Sequence, residues 1–339
     1  MKSEFVMKKY NEGWFKDCHH MALLHATSNL ISEYDCLICN QVYYYVKDEQ
    51  YGIQIERIDF FNVYDILPKF GIECEVQNES SLRNILERGV NKNTYIIAGI
   101  DNYYESIRRD FFLKKHVAHS MLISEVNYKK SEVTILEQPL FFSHDYQFYK
   151  ISIEELIKSN LSFNERKNDP HFFLKKLPDI CKYKGNLPEI SILKKREEKR
   201  VKNIETKLCF MSKLLSYRKK VYCGIEYLNE FIEEIEAIIE KSIIDIEFGE
   251  KLIENLSAII QGKTEELVAI KRVISMDVYP LYENNQKKII TNWSMIRNYI
   301  SKMIYSKKIK DYKIQDLLAN ILSCEDKNFE VFYDRCDSK

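Results

Sequence analysis

The chain carries no surplus of either charge: 51 basic residues stand against 51 acidic ones in a total of 339. A nucleic-acid binder needs a strongly basic face to neutralise phosphates, so no nucleic-acid partner is expected. There is no apolar run of the ~20 residues that a membrane span requires, and the first residues lack the apolar core of a signal peptide. The expectation is a cytosolic protein with no membrane partner. Nine cysteines, at 18, 36, 39, 74, 181, 209, 223, 324 and 336, are odd in number and show no framework spacing, which argues against a disulfide scaffold. Cys36-Leu-Ile-Cys39 has no second ligand pair at similar spacing, and a structural zinc site needs one. Neither a metal nor a cofactor is called for.

Glycine and proline almost vanish after Pro188, where long heptad-like patterns take over. That texture is the mark of an all-helical domain. Ile225, Leu228, Ile232, Ile235 and Ile239 form one apolar stripe, and Leu252, Leu256, Ile259 and Ile260 continue in the next helix. Residues 194–220 carry eleven basic against three acidic residues, and residues 226–254 carry ten acidic against two basic. Either two antiparallel helices pair opposite charges, or a basic helix docks an acidic partner.

Residues 1–178 read instead as a mixed α+β domain, separate from a helical domain over 188–339. A helix over 18–31 follows Asp17 as its N-cap. Residues 59–70 and 79–88 look helical, ending at Pro68 with Gly71 and at Gly89. Residues 72–76 alternate as a strand with one exposed face. Residues 94–100 form a buried strand by their β-branched content. Residues 119–126 and 132–138 flank Asn127-Tyr128-Lys129-Lys130-Ser131, whose length suits a hairpin.

Cys18 opens the first helix, where the dipole and the unpaired N–H groups favour thiolate over thiol. A cysteine nucleophile needs a base, and the base needs a third group to fix its tautomer and stabilise its charge. His119 begins a strand whose hairpin partner ends in Glu137-Gln138-Pro139. Folding the hairpin brings 137 or 138 opposite 119. Glu137 is preferred because it shares a face with Val133 and Ile135 and a carboxylate stabilises imidazolium; Gln138 is the alternative, since a one-residue register shift exchanges the faces. His116, three residues earlier, is the rival base or a substrate contact. An oxyanion hole would combine the Cys18 N–H with a side-chain donor upstream, and Asn11 is the only amide there. An early cysteine, a later strand histidine and a carboxylate or amide one strand on is the chain order of papain-like nucleophilic enzymes.

The stretch Gly99-Ile100-Asp101-Asn102-Tyr103-Tyr104, then Lys115-His116-Val117-Ala118-His119, then the hairpin to Glu137-Gln138-Pro139 resembles the N-terminal family of butirosin-biosynthesis protein H. That family is related in fold to the bacteriocin-processing cysteine peptidases. The resemblance spans roughly residues 10–160, and Phe70-Gly71-Ile72 falls where the family has a Leu-x-x-x-Gly-Ile element. The chain departs from the pattern at Glu125-Val126, at Tyr43-Tyr44-Tyr45-Val46, and at Glu137 or Gln138 in place of the usual aspartate. The resemblance implies a papain-like fold with an antiparallel sheet and, as activity, acyl transfer in specialised-metabolite biosynthesis. The cysteine would take an acyl group from an acyl carrier protein, a peptidyl carrier protein or coenzyme A, and pass it to a small-molecule amine. The helical half would then serve as a lid or as a substrate- or partner-binding domain, its basic segment suiting an acidic carrier. A cysteine peptidase or amidase with the same triad, and a catalytically silent scaffold, are the competing readings.

Overall fold

The computed structural model describes residues 17–32, 34–77, 81–140, 146–169, 172, 188–196, 203–308 and 313–334. In chain order they form α1 (Cys18–Leu30), α2 (Asp35–Ile38), β1 (Gln41–Asp48), β2 (Gly52–Asp59), α3 (Val63–Ile66), β3 (Ile72–Gln77), α4 (Leu82–Arg88), β4 (Thr94–Asp101), β5 (Ala118–Asn127), β6 (Glu132–Glu137), β7 (Gln147–Ser152) and α5 (Ile153–Arg166). There follow β8 (Ile190–Lys195), α6 (Asn203–Ser216), α7 (Arg218–Ile244), α8 (Ile246–Val273), α9 (Tyr279–Ser306) and α10 (Ile314–Phe329). They divide into two compact units: residues up to 37, 61–172 and 188–196 in the first, and residues 38–60 with those from 204 onward in the second.

The first unit is built on a six-stranded antiparallel sheet in the order β3-β8-β4-β5-β6-β7. Ile96, Ala98, Ile100, Met121, Ile123, Val133 and Ile135 are buried together with Leu82, Ile85 and Leu86 of α4 and Leu156 of α5. α1 starts where expected because the Asp17 carboxylate accepts the His20 N–H at 2.9 Å, satisfying one orphan donor of the first turn. The strand at 190–195 is a correction to the sequence reading, which put basic residues from 194 in a helix. Its Ile190 and Leu193 are fully buried, while Lys194 and Lys195 lie exposed at its end. Burial of the apolar residues, not the charge run, decides the element.

The second unit contains α6 to α10 and the hairpin β1-β2. The sequence boundary near 178–188 assigned that hairpin to the first domain, and the structure corrects it. Tyr43, Tyr45, Ile53 and Ile55 share one apolar core with Leu228, Phe231, Leu252, Leu256 and Trp293. Two glycines permit the contact: a Cβ on Gly52 would meet Ile238 and Phe231 at 2.7 and 2.9 Å, and one on Gly224 would meet the Tyr45 backbone at 2.8 Å. The stripe at 225, 228, 235 and 239 is buried as its period required, with Ile232 at its margin. The acidic face of α7 meets a strand: Lys47 of β1 pairs with Glu230 at 2.9 Å and Glu234 at 3.8 Å.

Buried charge also sits inside this unit. Lys263, 3% exposed, reaches Glu325 at 2.9 Å and Glu266 at 3.1 Å. The Tyr45 hydroxyl donates to Glu325 at 2.6 Å and accepts from the Trp293 indole N–H at 3.0 Å. Among the described residues no helix is long and apolar enough to cross a membrane.

Candidate active site

α1 presents Cys18 as its first helical residue, half-buried, at the positive end of the helix dipole. The N-cap Asp17 also accepts from the His20 ring at 2.7 Å, which fixes the entry of the chain. His119, the second residue of β5, is buried. Its Nε2 lies 2.6 Å from Oε2 of Glu137, the last residue of β6. Cys18 is near enough to the same ring for its charge and a hydrogen bond to favour the imidazolium. Thiol, imidazole and carboxylate therefore form one chain of contacts.

A β-bulge settles the choice between Glu137 and Gln138. Near the turn, Val126 pairs with Val133; past a bulge between Ile123 and Glu125, Ile123 pairs with Ile135 and Leu122 with Leu136. The shifted register carries Glu137 level with Met121, on the face that His119 shares by alternation. An unbroken register would have put Gln138 there. Gln138 instead donates its backbone N–H to Glu137 Oε1 at 2.8 Å.

The electrostatics follow from burial and pairing. Burial alone would lower the His119 pKa, but the Glu137 carboxylate, the Cys18 charge and the hydrogen bonds to both outweigh it and raise the value to about 10. Glu137 is pushed up by burial and drawn further down by His119, Arg108 and the Gln138 N–H, ending below the usual carboxylate range. Arg108, 1% exposed, stands 3.5 Å from Glu137 and 3.3 Å from Asp110. Glu105 is buried beside them, and neither of its oxygens has a hydrogen-bond partner among the described residues. Burial first, and then the Glu137 charge, hold its carboxyl protonated, with His119 and Arg108 pulling the other way. Tyr146 likewise keeps its proton through burial and the nearby charges of Glu137 and Cys18. Neither Arg108, Glu105 nor Tyr146 was visible in the sequence, since none belongs to a periodic pattern or motif.

The other sequence candidates separate from this centre. His116 Nδ1 donates to Asp101 Oδ2, 2.6 Å away, and the ring stacks on Tyr103 with centroids 4.2 Å apart. His19 bridges Ser120 at 3.1 Å and Tyr64 at 2.6 Å, and burial lowers its pKa to about 3. His25 contacts the Met21 carbonyl at 2.7 Å and the Tyr146 ring, and burial lowers it to about 4. Asn11 lies outside the described residues. Cys39 directs its thiol to the Ala269 carbonyl at 3.7 Å. Among the described residues no three side chains are grouped to hold a metal ion.

The chain matches no model of a known family and no curated protein. A thiol at a helix N-terminus, an imidazole that stays protonated at neutral pH and a buried carboxylate behind it can sustain a thiolate–imidazolium pair.

Proposed function

We propose that this protein is a cysteine-dependent acyltransferase that makes an amide from a carrier-protein or coenzyme A thioester in specialised metabolism, through an acyl-cysteine intermediate. The observation that carries the reading is His119 bonded to Glu137 at 2.6 Å, with the Cys18 charge favouring the same imidazolium. The order of Cys helix, His strand and carboxylate strand also supports a papain-like assignment for the first unit.

The steps balance in protons. The Cys18 thiolate attacks the thioester carbonyl, and the departing thiolate takes the proton of the His119 imidazolium. An amine then attacks the acyl-cysteine, His119 accepts the amine proton, and Cys18 leaves as thiolate. Glu137 keeps the ring oriented and offsets its charge in both halves.

Intact-protein mass spectrometry after incubation with acyl thioesters tests this reading. The expected result is a mass gain of one acyl group that vanishes in Cys18→Ala and is discharged by added primary amines. Absence of any adduct, together with cleavage of peptides, would replace transfer by hydrolysis.

A further inference from the structure

Apart from the Cys18 centre, the end of β4 builds a second charged constellation. Asp101 is fully buried and accepts from His116 Nδ1 at 2.6 Å, Ser162 Oγ at 2.7 Å and the Tyr103 and Val117 N–H groups at 3.0 and 3.2 Å. The Arg166 guanidinium approaches the same Oδ2 at 4.0 Å, so imidazole and guanidinium are neighbours over one carboxylate. Lys158, Ser162 and Arg166 recur every fourth residue on α5 and share a face. Lys158 sits 4.3 Å over the Tyr104 ring, which meets Tyr103 edge-on at 4.9 Å.

These groups are contiguous and solvent-facing: His116 and Arg166 have side chains 32% and 41% exposed, and Lys158 is exposed. Among the described residues neither Lys158 nor Arg166 has a hydrogen-bonded carboxylate, and His116 Nε2 has no partner. Among the described residues the carboxylate bound to His116 and Arg166, that of Asp101, already receives four hydrogen bonds. His116 and Arg166 meet over Asp101, and Lys158 lies over the Tyr104 ring, which meets the His116 ring edge-on at 6.1 Å.

We propose that His116, Arg166 and Lys158 form a binding site for a phosphate ester. A phosphate offers three or more acceptor oxygens to a guanidinium fork, an ammonium and an imidazole. Asp101 acts here as a positioning residue, orienting the imidazole and the guanidinium. Resting on the thioester reading above, the ester would be the phosphate of a pantetheine arm, whether on a carrier protein or in coenzyme A. Inorganic phosphate presents the same chemistry without the arm.

Calorimetric titration of the full chain with 4′-phosphopantetheine, pantetheine and inorganic phosphate tests the site without requiring turnover. Phosphopantetheine should bind at least about tenfold tighter than pantetheine, as expected from charge-assisted hydrogen bonds. Arg166→Gln, at a half-buried position, and Lys158→Gln, at an exposed one, should each shrink that ratio, and Lys158→Gln should leave the melting temperature unchanged. Tighter binding of phosphopantetheine than of inorganic phosphate identifies the arm as the source; equal binding identifies the free anion. A wild-type ratio near one, or a ratio that survives both substitutions, overturns the site. If the ratio holds but Cys18 takes no acyl group, acyl transfer fails and the phosphate site stands.

Discussion

Replacing Glu137 by glutamine isolates the charge behind His119. The amide keeps the shape of the side chain and an acceptor for the Gln138 N–H, so packing is little changed. In the native protein His119 rises from an ordinary 6.5 to about 10 against the pull of burial, with Glu137 the largest raising influence. At about 1.4 kcal/mol per pH unit, that displacement corresponds to roughly 5 kcal/mol in favour of imidazolium. Glu137→Gln leaves only the Cys18 charge to oppose desolvation. Losing ~3 kcal/mol of the balance would reduce the equilibrium constant for the thiolate–imidazolium pair about 100-fold. The rate of Cys18 alkylation by iodoacetamide, measured from pH 5 to 11 with Cys18→Ala as the blank, reads this directly. The native rate should be high through neutral pH, whereas the Glu137→Gln rate should follow an unassisted thiol that ionises near ~8.5, about 10-fold lower at pH 7.5 and about 100-fold lower at pH 6.5. Identical profiles, or a native profile that itself rises only near ~8.5, would refute the ion-pair account.

Arg108→Met should cost about 3–5 kcal/mol in urea unfolding, because it leaves the buried Glu137 charge short of a partner; stability within ~1 kcal/mol of native would show that Arg108 is not needed to balance it. Acid should destabilise the first unit through His19 and His25. Their folded values, about 3 and about 4, lie below 6.5, so the unfolded chain binds protons first as pH falls through 6.5. Each histidine should then remove about 1.4 kcal/mol of stability per pH unit until its folded value is reached, and a flat profile between pH 6.5 and 4 would contradict their neutral burial. His119 acts in the opposite direction: its contribution is complete below 6.5 and is lost as pH rises through about 10, which unfolding measured between pH 8 and 11 would detect. In the second unit, Lys263→Met leaves Glu266 and Glu325 facing each other in the core, and should cost about 3–5 kcal/mol in chemical unfolding; an unchanged midpoint would mean that those carboxyls share a proton without help from the lysine.

The three central residues were legible for different reasons. Cys18 stood out because Asp17 announces a helix start, and His119 because a five-residue turn after its strand returns the chain towards it. Glu137 was legible only as one of two. The bulge at Ile123/Glu125 that selects it depends on how the strands coil in the sheet, and no residue type marks it. The hairpin at 41–59 was hidden for another reason: its tyrosines look like any β-rich segment of a mixed domain, and their burial against α7 rests on the absence of side chains at Gly52 and Gly224. The strand at 190–195 was masked by a charge run that starts at its exposed end. Arg108, Glu105 and Tyr146 carry no periodicity at all, and only the folded chain brings them to the site.

Glu105 makes the balance of charge around His119 intelligible. Glu137 and Asp110 are already set against His119 and Arg108, two carboxylates against two cations. An ionised Glu105 would leave a buried net negative charge in a place that offers its oxygens no hydrogen bond, and burial of an unpaired carboxylate is far more costly than keeping its proton. Its protonated state is therefore the condition under which the other four charges can coexist in the interior. The Lys263 cluster meets the same difficulty with one cation for two carboxyls, and burial there pushes Glu266 up as well, with the Glu325 charge adding to it and Lys263 opposing. In both units a carboxyl that tends to hold its proton stands in for a missing cation. The difference lies in what surrounds it: at Glu266 the Lys263 ammonium and the Gln286 amide supply the hydrogen bonds, whereas at Glu105 that capacity is unused among the described residues.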